Sequence, residues 1–487
     1  MSASGKLSRR EFLQVAGLGA GAALMAACRV PPTATPKPVA QVTEEPTAIP
    51  TAVPAHLKWW QYPFWVGVTG EEVAGLSQDD PKRAEYTAAD WPNWAAQEFA
   101  KENPGFSCDV EMLTWDEGRK KLTVAAATGA GRPHLFLEDG PVILKFVRSG
   151  AMQPVSLSSQ DQADFYPAGL SAGSMDGKLW YRPWLAGSRM LVVNRAIFRE
   201  QGVEDLLPTE GDRLWSYEQF LEACKATTFT RSNGEEVFGF TSDFAQFAAH
   251  FWIDPFIWGY GASIFDESGL KVVIDSPEAE RGMQFVADLQ NQHKVMPPGS
   301  AGLEKADLVN MFYQGRLAMR QESHSFFGKT ERAKADGTIP NPDAVEVYPV
   351  MFPADLPDHR PATFTVFMGF GQFDTGTDEE RAAAEEFIGF LTDEQNALAV
   401  QAAGALPARM SAESAFSKDP YKAYAMRAMQ FGHPDTLSPY FDALNQYLNP
   451  MWQAVVSGER TPKEALTEAQ ERCNAFIAEE EAKRVTS

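Results

Sequence analysis

The chain has 487 residues, 44% of them hydrophobic and 22% charged, which suits two globular lobes and is too long for one small domain. Lys and Arg number 43 against 65 Asp and Glu; the resulting formal charge of −22 repels nucleic acid, and no basic cluster in the body of the chain offsets it. Cys28, Cys108, Cys224 and Cys473 form no C-x-x-C pair and stand near no histidine at zinc-ligand spacing, which excludes a disulfide scaffold and a zinc site.

The chain opens with Ser8-Arg9-Arg10-Glu11-Phe12-Leu13, paired arginines ahead of a Gly- and Ala-rich apolar stretch over residues 12–27. That stretch is too short and too weakly apolar to span a bilayer stably, and it reads as an export signal. It resembles the twin-arginine signal, whose machinery exports folded proteins. Leu24-Met25-Ala26-Ala27-Cys28 resembles a bacterial lipobox, in which the cysteine is lipidated and becomes the mature N-terminus; Met25 stands where Leu is usual. Ala26-Ala27 also suits ordinary signal peptidase, which releases a soluble product. The proline-rich stretch after Cys28 favours the tether. Prolines at 31, 32, 36, 38, 46, 50 and 54 remove backbone donors and hold residues 29–56 extended as a linker, with a reach of up to roughly 80 Å at ~3.1 Å per residue. With Cys28 consumed by lipid, at most one internal disulfide can form among the other three cysteines.

Folded sequence is expected from Leu57, where strand-like apolar runs begin to alternate with capped helical stretches, the pattern of an α/β protein. Ser216-Tyr217-Glu218-Gln219 reads as a capping box stapled by Trp215 and Phe220. Thr377-Asp378-Glu379-Glu380 and Thr392-Asp393-Glu394-Gln395 repeat the device, and Thr461-Pro462-Lys463-Glu464 adds proline at the first helical position. Ala383, Phe387 and Leu391 fall four apart and predict one buried helix face. There is no internal repeat and no coiled-coil heptad.

The order of segments resembles a known family. FAKENPGF at 99–106 looks like a helix end and a turn into the second strand; KLTVAAATG at 121–129 and RPHLF at 132–136 look like a helix and a strand pointing into a cleft. DGKLWYRPW at 176–184, LVVNR at 191–195 and WSYE at 215–218 come next in the family's order, then FYQGRLAM at 312–319, AEEFIGFL at 384–391, GALPAR at 404–409 and GERTPKEAL at 458–466. Together these segments, from Leu57 to the end, resemble the sugar-type extracellular solute-binding proteins of ABC importers. His134 stands where that family usually has Asp, and Gly259-Tyr260-Gly261 where it has Gly-Gly; both positions are expected near the cleft.

The resemblance implies a two-lobed, type II periplasmic-binding fold with the ligand between the lobes, residues 57–185 and 364–407 forming one lobe and 186–363 and 408–487 the other. Crossovers are expected near Trp184, Phe364 and Pro407. It also implies an extracytoplasmic, monomeric binding subunit that carries a carbohydrate to its permease and is held to the outer face of the membrane by its lipid. No cofactor or metal is implied.

Sugars present hydroxyl edges and apolar C–H faces, so a site needs aromatic plates and polar side chains beside them. Aromatics crowd the first strand (Trp59, Trp60, Tyr62, Phe64 and Trp65), the first crossover (Trp180, Tyr181 and Trp184) and the run Phe251, Trp252, Phe256, Trp258 and Tyr260. One Trp of Trp59-Trp60 must face each side of its strand. By family position the plates are Trp60, Trp184 and Trp258. Glu138 and Asp139 directly follow the strand Leu135-Phe136-Leu137, where open α/β sheets bind ligands. Glu322 and His324, and Asp243, stand where the family contacts sugar.

Enzyme motifs fail on context. Gly169-Leu170-Ser171-Ala172-Gly173 matches a nucleophile elbow but lacks the preceding buried strand. Asp374-Thr375-Gly376 has no second acidic triplet and runs into the capped helix at Thr377. None of the seven histidines belongs to an H-E-x-x-H motif. Two alternatives stand beside the sugar-binding reading. One is a binding protein for another solute, such as a polyamine or a peptide. The other is a secreted carbohydrate-active enzyme using a pair such as Glu138 and Glu322.

Overall fold

The structure, a computed structural model, describes residues 55–63, 87–114, 117–246, 249–397, 399–402, 405–412, 419–433, 435, 438–441 and 443–486. The export signal, Cys28, nearly all of the linker, and Phe64 and Trp65 lie outside these. All the described residues belong to one compact unit.

Folded structure begins two residues earlier than the apolar run suggests, with β1 (Ala55–Gln61). Trp59 and Trp60 take opposite faces of it, as a period of two requires. The first half of the chain is α/β alternation: α1 (Asp90–Glu102), β2 (Phe106–Met112), α2 (Gly118–Thr128), β3 (Leu135–Asp139) and α3 (Gly140–Arg148). The helices cover a sheet in which β1 lies parallel to both β2 and β3.

The 14-residue β4 (Tyr181–Asn194) joins the two halves of the sheet. The second half adds α4 (Tyr217–Ala226), β5 (Glu236–Phe240), β6 (Leu317–Ser323), β7 (Val347–Val350), β8 (Thr365–Phe373), α5 (Asp378–Leu391), β9 (Leu406–Pro407) and α6 (Pro462–Thr486). The sheet order is β2-β1-β3-β8-β4-β6-β5. Along β4 the partner changes once. Tyr181 to Ser188 pair antiparallel with β8, Ser188 lying opposite Thr365, whereas Arg189 to Val193 pair with β6, Arg189 lying opposite Ser323. β7 pairs with the far end of β4, and Pro407 of β9 lies opposite Leu185.

Apolar burial forms two clusters. The first core gathers Trp59, Phe136, Phe370 and Phe387 and reaches across both halves of the sheet, taking in Phe238, Leu317 and Val347 as well; another gathers Phe220, Phe240, Phe256 and Trp452. The caps at Ser216, Thr377 and Thr461 form as the sequence predicts, and Trp215 meets Phe220 edge-on at 5.2 Å. Thr392 departs from expectation. Its hydroxyl turns back to the Ile388 carbonyl at 2.8 Å, and Asp393 instead caps the short helix Glu394–Ala397 through the Asn396 N–H at 2.7 Å. The buried face of α5 is Ala384, Phe387, Ile388 and Leu391, so Ala384 rather than Ala383 completes it. Cys108, Cys224 and Cys473 are free thiols.

Candidate functional site

A cavity of about 300 Å³ opens beside the change of partner in β4. Its walls come from the carboxyl end of β3, the start of α3, Arg189 in the middle of β4, the start of β8, Phe251, and residues 438, 439 and 441. A second, more polar cavity of about 520 Å³ shares Ser438 and Pro439 with it and carries Asp176, Asp266, Glu267 and Asp435. Gly140 lets the β3–α3 corner form one wall: a Cβ there would stand 2.4 Å from the Ala172 carbonyl oxygen.

Glu138 and Asp139 meet at one arginine. Arg119, in the first turn of α2, places Nη2 at 2.9 Å from Glu138 Oε1 and 2.8 Å from Asp139 Oδ2. Glu138 is 0% exposed and also accepts the Tyr62 hydroxyl at 3.0 Å, so it anchors the arginine. Burial, reinforced by that carboxylate, pushes the Tyr62 phenol well above its ordinary value. Asp139 is the member of the pair that lines the cavity.

Asp243 and Glu322 are likewise drawn together by an arginine, Arg320. Its Nη2 lies 3.1 Å from Asp243 Oδ1 and 3.0 Å from Glu322 Oε1, with Arg320 1% exposed. Burial raises the Asp243 carboxyl above its usual range, opposed by Arg320 and Lys305. Lys305 Nζ lies 4.5 Å over the Trp252 ring, and the Arg189 guanidinium lies 4.5 Å from the centroid of the same ring.

Arg189 occupies the first position of β4 after its partner changes, and its backbone N–H bonds the Phe364 carbonyl at 3.0 Å. Its side chain lines the cavity. Burial pulls its guanidinium down to about 10, with Glu322 and Asp139 acting the other way. Phe251 and Phe364, also in the wall, stack at 4.3 Å, and Phe251 stacks with Phe441 at 5.5 Å.

The three predicted tryptophan plates are not brought together. Trp60 is 7% exposed and covered by Lys121, whose Nζ lies 4.1 Å from the ring. Trp184 is 1% exposed and packs against Trp91 at 5.8 Å and Phe370 at 5.6 Å inside the first core. Trp258 is 2% exposed, donates to Asp435 Oδ2 at 2.8 Å and stacks on His433 at 4.6 Å, one layer behind the polar cavity. The aromatic surface of the first cavity is phenylalanine. His324 lies against the β4 backbone, where a Cβ on Gly187 would stand 3.5 Å from its ring.

Both departures from the family pattern lie away from the cavity walls. His134 accepts the Lys58 N–H on Nδ1 at 2.9 Å, and Tyr260 stacks on Tyr217 at 3.9 Å. Sequence reasoning misses Arg119, Arg189, Lys305, Arg320, Phe441 and Lys145, which lines the cavity from α3. Two of these carry a signal: Arg189 directly precedes the apolar run Met190-Leu191-Val192-Val193 and Arg320 directly follows Leu317-Ala318-Met319, and arginine in such a place needs a partner or a purpose.

Ser171 of the G-L-S-A-G motif sits in the short helix Pro167–Ala172, with no strand leading into it. Among the described residues no group of three or more His, Cys, Asp or Glu could hold a metal ion, and no helix is long and apolar enough to cross a membrane.

A family model described as bacterial extracellular solute-binding protein matches residues 94–428. A putative binding protein of Brucella abortus (strain 2308) is 24% identical over 240 residues, 48% of this chain and 55% of the relative. A putative binding protein of Brucella suis biovar 1 matches to the same extent, so the chain spans about half the length of the curated relatives it matches. Among solved structures, a cyclic alpha-maltosyl-1,6-maltose binding protein from Arthrobacter globiformis aligns with a TM-score of 0.67 at 16% identity, covering 87% of this chain and 99% of that one. A cyclo/maltodextrin-binding protein complexed with maltotetraose aligns at 0.64 and 19%, covering 87% and 98%. An ABC transporter solute-binding protein from Thermotoga lettingae, bound with alpha-D-tagatose, aligns at 0.61 and 20%, covering 87% and 100%. These likenesses show the fold, the α/β two-lobed architecture of periplasmic binding proteins. The family model covers more than half of the residues and spans every strand of the sheet from β2 to β9: the chain belongs to the bacterial extracellular solute-binding protein family.

Proposed function

We propose that the chain is the solute-capturing subunit of an ABC importer and binds a saccharide in the cavity at the change of partner in β4. The observation that carries this reading is the composition of that cavity. Stacked Phe251, Phe364 and Phe441 offer apolar surface to the C–H faces of a sugar ring, while Asp139, Arg189 and Ser438 offer polar groups to its hydroxyls. Saccharides named for the aligned structures, from tagatose to maltotetraose, agree with a ligand of this class.

In this reading Glu138 supports the site from behind, Asp243 and Glu322 hold Arg320 on the strand paired with Arg189, and His324 steadies the strand at Gly187. Trp60, Trp184 and Trp258 support it through the cores. Closure of the lobes on the ligand creates the surface that the permease recognises. The binding subunit works as a monomer outside the membrane, tethered through lipid on Cys28 after twin-arginine export. Diacyl mass on a peptide beginning at Cys28, in protein extracted from membranes, tests the tether; a soluble product cut after Ala27 overturns it.

A thermal-shift screen of the full-length protein against mono- and oligosaccharides, amino acids and polyamines tests the ligand class. A ligand at a hundred times its Kd adds roughly 2.7 kcal/mol and raises Tm by about a few degrees. The expected result is a shift with saccharides that Phe251→Ala and Asp139→Asn both abolish. Silence across saccharides beside a clear shift with another class sinks the sugar assignment and leaves the importer role.

A further inference from the structure

We infer that the saccharide taken by this cavity carries a carboxylate group, and that Arg189 binds that carboxylate; the inference rests on the reading of the ligand as a saccharide.

The arginines around the cavity are satisfied in different ways. Arg119 is spent on Glu138 and Asp139, and Arg320 on Asp243 and Glu322. Arg189 differs. Among the described residues its side chain makes no hydrogen bond and no ion pair, and its buried Nε has no acceptor. The surroundings of the guanidinium are aromatic: Trp252 at 4.5 Å and Phe364 at 5.8 Å from the ring centroids. Rings hold a cation in place but supply no acceptor for its five N–H groups.

A guanidinium whose Nε is buried without an acceptor is costly to keep, and burial lowers its pKa to about 10, which still leaves it charged at neutral pH. In a chain with 65 acidic residues against 43 basic ones, a nearby carboxylate partner would be easy to supply. The fold instead commits Glu322 to Arg320 and Asp139 to Arg119, and leaves the donor face of Arg189 to the cavity.

The chemistry that completes such a group is an anionic acceptor with two oxygens in one plane, matching the guanidinium fork. Asp139 and Glu322 both act electrostatically on Arg189, so a ligand group of one negative charge is tolerated better there than a dianion. A planar monoanion is a carboxylate. On a saccharide it is the acid group of a uronic or sialic acid, with the phenylalanine stack left for the ring faces and the adjoining polar cavity for hydroxyls.

The test is isothermal titration of the full-length protein with matched ligands. Glucuronate, galacturonate, digalacturonate and N-acetylneuraminate are each compared with the neutral sugar of the same ring and with the methyl ester of the acid, which keeps the size and removes the charge. At least one acid is expected to bind about 10- to 100-fold tighter than both neutral forms, the worth of a charged hydrogen-bonded pair. In Arg189→Gln that ratio is expected to collapse towards one, and Arg189→Lys, charged but without the fork, is expected to fall between. If Arg189→Gln does not fold, as its melting curve will show, the acid-to-ester ratio of the unaltered protein decides alone. Neutral sugars binding as tightly as the acids, or glucose 6-phosphate binding tighter than glucuronate, overturn the inference and leave the saccharide reading standing. No binding by any saccharide, acid or neutral, brings down the saccharide reading itself.

Discussion

Arg119 Nη2 lies 2.9 Å from Glu138 Oε1, and Glu138 is completely buried while Arg119 is 42% exposed. The same nitrogen holds Asp139, so two neighbouring carboxylates acquire different roles from one guanidinium. The buried one fixes the arginine; the other is presented to the cavity. Removing the arginine leaves the Glu138 charge with the Tyr62 hydroxyl and the Asp139 N–H as its donors among the described residues. Arg119→Ala is therefore expected to cost about 2–3 kcal/mol, below the usual loss for a broken buried pair because those two donors remain. The shift of the urea midpoint at unchanged slope measures it.

Trp184 has the sequence position of a ligand plate, but its burial makes a different prediction. Trp184→Ala removes a large side chain from between Trp91 and Phe370 and is expected to destabilise the fold by about 3–5 kcal/mol. Trp184→Phe, which keeps an aromatic in the space, is expected to cost much less and to bind the same ligands. A selective loss of ligand affinity in Trp184→Phe at full stability would place the side chain in the site after all.

His134 predicts a pH dependence. Its Nδ1 accepts the Lys58 N–H, so the neutral ring is the bonded form, and burial lowers its pKa below 6.5 while Glu380 opposes. The unfolded chain then binds the proton more readily than the folded one. Stability from this group is complete above the unfolded value of about 6.5 and is lost as pH falls through the lower folded value. His134→Asn, whose side-chain oxygen can accept the same N–H, is expected to flatten that part of the profile. Parallel denaturation curves of the two proteins from about pH 7.5 down to about pH 5, on either side of that value, decide it; identical slopes would remove His134 from the account.

Arg320 and Asp243 are 77 residues apart and meet in the interior. Arg320→Ala leaves Asp243 and Glu322 buried as like charges and is expected to cost about 3–5 kcal/mol. A double-mutant cycle with Asp243→Asn should return a coupling of about 1–3 kcal/mol, whereas an additive pair would mean that the contact carries no energy.

Cys224 and Cys473 are buried, and burial lifts both thiols, Cys473 to about 12. Neither should react with a thiol reagent at about pH 8 until denaturant is added, because the thiolate is the reactive form. Rapid labelling of either in the native protein would show that the core around Trp452 opens readily.

Several features are legible in the sequence because they depend on neighbours along the chain. The caps at Ser216, Thr377 and Thr461 each join a side chain to a backbone N–H three residues away, so composition is enough to write them. Where a second local partner competes, as at Thr392, the pattern misleads: the hydroxyl reaches back to the preceding helix instead. The α/β alternation and the placement of Glu138-Asp139 at a strand end are legible for the same reason, since strand period and length are local properties. The roles of these carboxylates are not. Which of Glu138 and Asp139 faces the cavity depends on Arg119, 19 residues before Glu138 on another element.

The aromatic surface shows the limit most clearly. A tryptophan looks the same in a sequence whether it will plate a ligand or fill a core, and packing from distant segments assigns Trp184 and Trp258 to the cores. Phe251, Phe364 and Phe441 come from three separated stretches and become one wall only when β4 changes partner and brings those stretches to the same place. The elements, their caps and the acidic character of the chain are written in the residues themselves, because they follow from backbone periodicity and composition. Which charges are paired, which rings line the cavity and why Arg189 keeps its donors open are settled by the folded arrangement, because burial and pairing are set by residues far apart in the chain.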